Sequence, residues 1–158
     1  MSATDVSVRP AGPADLPVVL GLYRELDAED VHDLAEARAV FDRMARYPDY
    51  ALYVAEVDGA VLGTFTLLVM ENIAHRGSRT GIIEAVAVSG AAQGQGIGRA
   101  MMGVALDMAR EKGCYKAALS TRMARERAHA FYESLGFRRH GFSFYTDLQE
   151  APASGEAA

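Results

Sequence analysis

The stretch Gln93-Gly94-Gln95-Gly96-Ile97-Gly98-Arg99 constrains this chain more than any other. It lies between an apolar, β-branched run, Ile82 to Val88, and an amphipathic stretch that runs to about Lys112. Glycines there let the backbone turn tightly and approach a ligand, and the first amides of the following helix have no intrahelical acceptor. With the positive end of the helix dipole, those amides suit a phosphate or pyrophosphate. No Gly-Lys-Ser/Thr follows, which excludes a P-loop. The G-x-G-x-G spacing, without an acidic residue closing a second parallel strand, argues against a dinucleotide-binding turn. A glycine-rich loop that only closes tightly stays open as the alternative.

The remaining elements follow from period and punctuation. Val6 to Arg9 alternates and runs into Pro10-Ala11-Gly12-Pro13, a strand and a turn. Asp15 is positioned to cap a helix with Leu16, Val19, Leu20, Tyr23 and Leu26 at helical spacing. Leu34 to Arg46 is a second helix that stops before Pro48. Ala51 to Val57 and Val61 to Met70 read as a hairpin around Asp58-Gly59, and Glu71 to Thr80 as a loop. Tyr115 to Thr121 is a strand, Arg125 to Leu135 a helix closed by Gly136, and Phe142 to Leu148 a last strand by its alternation. The order β-α-α-β-β-β-α-β-α-β predicts one α/β domain over residues 1–148, a mixed sheet with helices on both faces. Residues 149–158, rich in Ala, Pro, Ser and Gly, read as a disordered tail.

At 158 residues, with 50% apolar and 23% charged side chains, the chain suits a single globular core. A net charge of −5 excludes a broad basic footprint for nucleic acid. The longest apolar runs are too short for a bilayer. The start of the chain has neither a basic nor an apolar signal region, so a cytoplasmic protein is expected. Cys114 is the one cysteine, fits a reducing compartment, and reads as a packing residue rather than a nucleophile. His75 has no spaced partner in its segment, so no metal is expected.

Two motifs carry a family likeness. Val86-Ala87-Val88 followed by Gln93 to Gly98 resembles the Gln/Arg-x-x-Gly-x-Gly/Ala pyrophosphate signature of the GNAT N-acetyltransferases. Ala128-His129-Ala130-Phe131-Tyr132-Glu133-Ser134-Leu135-Gly136-Phe137 resembles that superfamily's A-x-x-F-Y-E-x-x-G-F signature. Regionally, residues 81–116 are similar to glucosamine-6-phosphate N-acetyltransferases, and Leu119-Ser120-Thr121 with Arg127 to Tyr132 to aminoalkylphosphonate N-acetyltransferases. The resemblance implies a GNAT fold, a mostly antiparallel sheet of about six to seven strands splayed at its centre with about four helices. It also implies acetyl-CoA as cosubstrate and a small-molecule amine as acceptor, and homodimers are common among similar proteins. Cofactor contacts would come from Val86, Ala87, Val88, Gln93, Gly94, Gln95, Gly96, Ile97, Gly98, Arg99, Arg125 and Phe131, with Phe131 packing inward.

Acetyl transfer to an amine needs a base for the ammonium proton and an acid for the departing thiolate. Glu84 interrupts an apolar strand and, by alternation, shares a face with Ile82, Val86 and Val88, where partial burial would raise its pKa. Its place before Gln93 also matches a glutamate of many GNAT enzymes; a structural carboxylate paired with an arginine or backbone amides is the alternative. Tyr132 is, by resemblance, the acid, against a core aromatic. Two departures stand out. Arg125 replaces a common asparagine, and Ala85 replaces the aspartate that follows the glutamate in glucosamine-6-phosphate enzymes. Basic groups at His75, Arg76 and Arg79 and at Arg122, Arg125, Arg127 and His129 could meet an anionic acceptor, the phosphates of CoA, or solvent. Tyr23, Glu25, Asp27 and His32 are candidate specificity positions. A protein or peptide N-acetyltransferase and a non-catalytic acetyl-CoA-binding module remain as other readings.

Overall fold

The computed structural model describes residues 5–148; the tail expected at 149–158 lies outside them. Five strands form one sheet in the order β1-β2-β3-β4-β5: β1 Ser7–Pro10, β2 Tyr50–Val57, β3 Ala60–Met70, β4 Arg79–Val88 and β5 Cys114–Ala118. The first three pairings are antiparallel and β4 with β5 is parallel. The helices are α1 Leu16–Leu26, α2 Leu34–Met44, α3 Ile97–Glu111 and α4 Glu126–Ser134. Two compact units are distinguishable, one ending at Leu119 and the other beginning at Ser120.

In the first unit the sheet is covered on both faces. Leu52 and Val54 of β2 pack with Leu16 and Val19 of α1, and Leu34, Phe41 and Met44 of α2 lean on the same cluster. The opposite face carries Tyr53 stacked on Phe65 at 5.1 Å and is covered by α3. Residues Ile97, Met101, Met102, Ala105 and Ala109 bury one stripe of α3 at helical spacing. Small residues bring α3 close. A Cβ at Gly63 would stand 3.0 Å from Met101 Sδ, and one at Gly81 would stand 3.4 Å from Ala109 Cβ. This contact fixes where α3 begins relative to the end of β4.

Local chemistry explains the junctions. Asp58 and Gly59 have φ of 51° and 79°, the pair of left-handed residues that a two-residue hairpin needs. Asp15 stands at the N-cap of α1 but makes no cap bond there. Its carboxylate instead takes the Gly12 amide at 2.7 Å and the Arg9 guanidinium at 2.8 Å, while Arg9 also binds Glu56. Lys112, just past α3, donates to Asp49 at 2.7 and 2.9 Å, and that contact holds its amine above the usual range. Burial pushes the Cys114 thiol up, away from its nucleophilic form.

Two strand expectations are corrected, and the second of them brings the count down to five. The strand expected over Tyr115 to Thr121 ends at Ala118, where its pairing with Ile82 of β4 ends. The strand expected over Phe142 to Leu148 does not form among the described residues. Phe142, Phe144, Tyr145 and Leu148 are 87%, 91%, 94% and 89% exposed, and alternation makes a strand only where neighbours pack against it.

Candidate active site

The site begins with an irregularity in β4. Leu67 pairs with Ile83 and Thr66 with Glu84, but Thr64 pairs with Ala87, so Phe65 alone opposes Ala85 and Val86. This is a β-bulge, and Ala85 within it has φ of 51°. Directly paired residues share a face. Glu84 therefore lies with Thr66, Thr64 and Ala87, on the side covered by α1, and not with Val86 and Val88 as plain alternation had it. The expected partial burial is also corrected. The extra residue bends the strand at this point, and the Glu84 side chain is exposed. Its carboxylate takes part in no ion pair or hydrogen bond among the described residues. The Glu84 carbonyl accepts the Thr66 hydroxyl at 3.2 Å, tying the bulge to β3.

Beyond the bulge the sheet is open. Parallel pairing with β5 stops at Ile82–Ala118, while β4 continues to Val88. Along residues 83–88 no strand among the described residues takes the backbone groups on that edge. The open edge is about 20 Å long and has the hydrogen-bonding character of a sheet that lacks one strand.

The edge leads into the glycine turn. Ser89 N donates to Leu62 O at 2.8 Å, a short 3₁₀ turn spans Gly90–Ala92, and the chain then passes through Gly94 and Gly96 at φ of 80° and 82°. Gly96 is the N-cap of α3, with no side-chain cap bond and no acidic residue in the first turn. A Cβ at Gly94 or Gly96 would meet nothing within 4 Å, so glycine is required for its backbone conformation and the space ahead is free. Ile97, 1% exposed, anchors the helix start in the core. Val86, Ala87, Val88, Gln93, Gly94, Gln95, Gly96, Ile97, Gly98 and Arg99 thus lie in one continuous segment of edge, turn and first helical turn.

In the second unit, α4 ends in a Schellman motif. Phe137 N donates to Tyr132 O at 3.1 Å and Gly136 N to Glu133 O at 3.0 Å, with Gly136 at φ of 90°. The Tyr132 ring meets Phe137 edge-on at 5.7 Å and Phe131 at 5.2 Å. The spacing of F-Y-E-x-x-G-F is the spacing of this cap: the glycine turns the chain and the final phenylalanine holds the tyrosine ring. Tyr132 and Phe131 are half-buried. Arg125 sits at the N-cap of α4 without a side-chain cap bond, and His129 Nε2 lies 3.0 Å from Arg122 O.

Comparison with known proteins decides the family. The model of the Acetyltransferase (GNAT) family matches residues 19–137. The chain belongs to the GNAT acetyltransferase family. A glucosamine 6-phosphate N-acetyltransferase of Trypanosoma brucei brucei is 34% identical over 90 residues, 57% of this chain and 59% of that protein's length. Glucosamine 6-phosphate N-acetyltransferase 1 of Oryza sativa is 30% identical over 134 residues, 82% of this chain and 79% of the relative. A solved structure from Agrobacterium tumefaciens, provisionally described as an acetyltransferase, has a TM-score of 0.85 at 36% identity, covering 90% of this chain and 99% of that one. Family and relatives together make this GNAT chain an N-acetyltransferase, an enzyme of the acyltransferase class.

Within this GNAT chain the peripheral candidates divide. Arg79 is engaged: its Nε pairs with Glu71 at 2.8 Å and its Nη1 donates to Lys112 O, at the opposite end of β4 from Val88. His75 packs on the Tyr115 ring at 4.9 Å. Tyr23 is in hydrogen-bonding contact with Thr64, and burial pushes its hydroxyl up to about 12, so it stays neutral where α1 meets the sheet. His32 pairs with Asp30 at 3.0 Å, and Asp27 accepts the Glu29 amide. Glu25 accepts the Gly90 amide at 2.7 Å, a contact that no local pattern signals because 65 residues separate the two. The bulge was equally silent in the sequence, since alanine is not a residue that announces a left-handed backbone. Among the described residues no cluster of three metal-binding side chains occurs, and no helix is long and apolar enough to cross a membrane.

Proposed function

We propose that residues 1–148 form one GNAT domain that moves an acetyl group from acetyl-CoA to the primary amine of a small molecule. The observation that carries this reading is the open edge of β4 at residues 83–88, running into the uncapped N-terminus of α3 with Gly94 and Gly96 left-handed. An extended pantetheine arm matches that edge, because it has amide groups to exchange with the backbone of Val86 and Val88. A pyrophosphate matches the amides of residues 94–99 and the dipole behind them. When bound, acetyl-CoA supplies an activated acetyl thioester.

The chain's own residues then have separate tasks. The Glu84 carboxylate, exposed on the α1 face and unpaired among the described residues, accepts a proton from the acceptor ammonium, directly or through a water. The Val86 and Val88 backbone orients the donor. Tyr132, by its place in the second family motif, holds on its Oη the proton that the leaving sulfur takes. Arg125 and Phe131 border the donor on the same family grounds.

The acceptor class follows from the relatives. Two are named for glucosamine 6-phosphate, so amino sugars and their phosphates come first. Ala85 in the bulge and the engagement of Arg79 weigh against that one sugar phosphate as the acceptor, and in favour of a different small amine. The test is CoA release from acetyl-CoA with amino sugars, amino-sugar phosphates, aminoalkylphosphonates, aliphatic amines and amine-bearing peptides. Release with at least one small amine is expected. Release with peptides alone, or with none of these, contradicts the reading.

A further inference from the structure

Glu25 makes a side-chain contact across 65 residues to the segment that leads into the glycine turn. It lies in the last turn of α1, three residues beyond Leu22 (4% exposed) and six beyond Val19 (1% exposed), at the edge of the buried stripe. From there its Oε2 accepts the Gly90 amide at 2.7 Å. Gly90 opens the 3₁₀ turn that connects β4 to Gln93, so the bond acts on the segment that aims the α3 amides. Other anchors of this segment are the Ser89 bond to Leu62 O at 2.8 Å, the Ala92 bond to Ser89 O at 3.0 Å, the Gln95 Nε2 bond to Ala91 O at 3.4 Å, and the burial of Ala92.

We infer that Glu25 is a positioning residue for the donor site: its carboxylate fixes the Gly90 peptide and so pre-orients the amides that hold the pyrophosphate. The inference rests on the donor site proposed above. Amides bind an anion tightly only when they already converge, because ordering a loose segment on binding consumes part of the affinity. A carboxylate near an anion site also repels the anion, so electrostatics alone would disfavour glutamate at this position. The gain lies in the hydrogen bond, which is stronger to a charged acceptor than to a neutral one. The same bond ties the donor turn to α1, the helix covering the face on which Glu84 lies.

Two substitutions remove the bond from opposite ends. Glu25→Ala removes the acceptor. Gly90→Pro removes the donor where the backbone suits proline, since residue 90 opens a helical turn and Ser89 before it is extended at φ −50° and ψ 132°, and the ring displaces the flexible Glu25 carboxylate from its place. Glu25→Gln keeps a neutral oxygen acceptor. Calorimetric titration of the full chain with acetyl-CoA, with ligand-free melting as a folding control, reads the effect. Glu25→Ala and Gly90→Pro are each expected to weaken binding roughly five- to tenfold. Glu25→Gln keeps an acceptor with a weaker hydrogen bond but loses the charge that repels the anion, so its affinity should lie between wild type and Glu25→Ala. The double variant Glu25→Ala/Gly90→Pro should be no weaker than either single one, since both remove one bond. Unchanged affinity in Glu25→Ala or in Gly90→Pro overturns the inference while leaving the donor site standing. So does a Gln variant as weak as the Ala variant, or a double variant with additive losses. A wild-type chain that fails to bind acetyl-CoA removes the donor site and this inference together.

Discussion

Glu84 is the residue on which the proposed chemistry turns, and the bulge sets the face on which it lies. Its carboxylate is exposed on the α1 face and has no partner among the described residues, which suits the proposed role as base. Glu84→Gln should therefore lower kcat at neutral pH by about 10²-fold and leave acetyl-CoA affinity within twofold, read from steady-state kinetics and calorimetry. An unaltered kcat returns the residue to the surface. Tyr132→Phe keeps the ring that packs on Phe137, so melting should shift by no more than about 2 °C. If its hydroxyl serves the leaving sulfur, kcat falls about 10-fold or more; a lower melting temperature with normal turnover assigns that hydroxyl to the fold instead. Both residues were legible in the sequence, one as a charge in an apolar strand and one inside a motif. The environment of Glu84 was not. Period-two alternation cannot register an inserted residue, and Ala85 carries no composition cue for φ of 51°.

At the scale of elements, the strand–turn–helix around Gly96 was read almost as it folds, because glycine spacing and helix periodicity are both local signals. Valine at position 96 would have to adopt φ of 82°, and its side chain would fill the free space before the first amides of α3. Gly96→Val should weaken acetyl-CoA binding by at least about tenfold and also destabilise the fold by roughly 1–2 kcal/mol, measured by titration and melting. The last strand was misread for the converse reason: alternation at Phe142 and Phe144 is local, whereas strand formation requires a neighbour. The N-terminal tie offers a pH test. Arg9 holds the Asp15 carboxyl below its ordinary range. A folded pKa below the unfolded one stabilises above the ordinary carboxylate value, and that gain is lost as pH falls through the folded value. Asp15→Asn should thus melt about 2 °C below wild type at pH 7, with the gap closing as acid takes the pH below the ordinary carboxylate range. A gap that persists in acid excludes the ion pair as its cause.

For the molecule as a whole, the fold class was legible because two signatures and the order of elements agree, and the family match over residues 19–137 spans both compact units. The opening of the sheet beside β4 was expected only through the family resemblance; no residue type marks its extent, which is set by where β5 stops pairing. That edge is the centre of the account: a GNAT sheet lacking one strand over residues 83–88, beside a helix start that lacks a cap. Amide hydrogen exchange of the full chain, followed residue by residue with and without saturating acetyl-CoA, tests it directly. Exchange at Val86, at Val88 and across residues 94–99 should slow by at least about tenfold, while α2 and β1 stay unchanged. Saturable binding with no added protection at these amides, or with protection confined to another part of the sheet, would contradict the account.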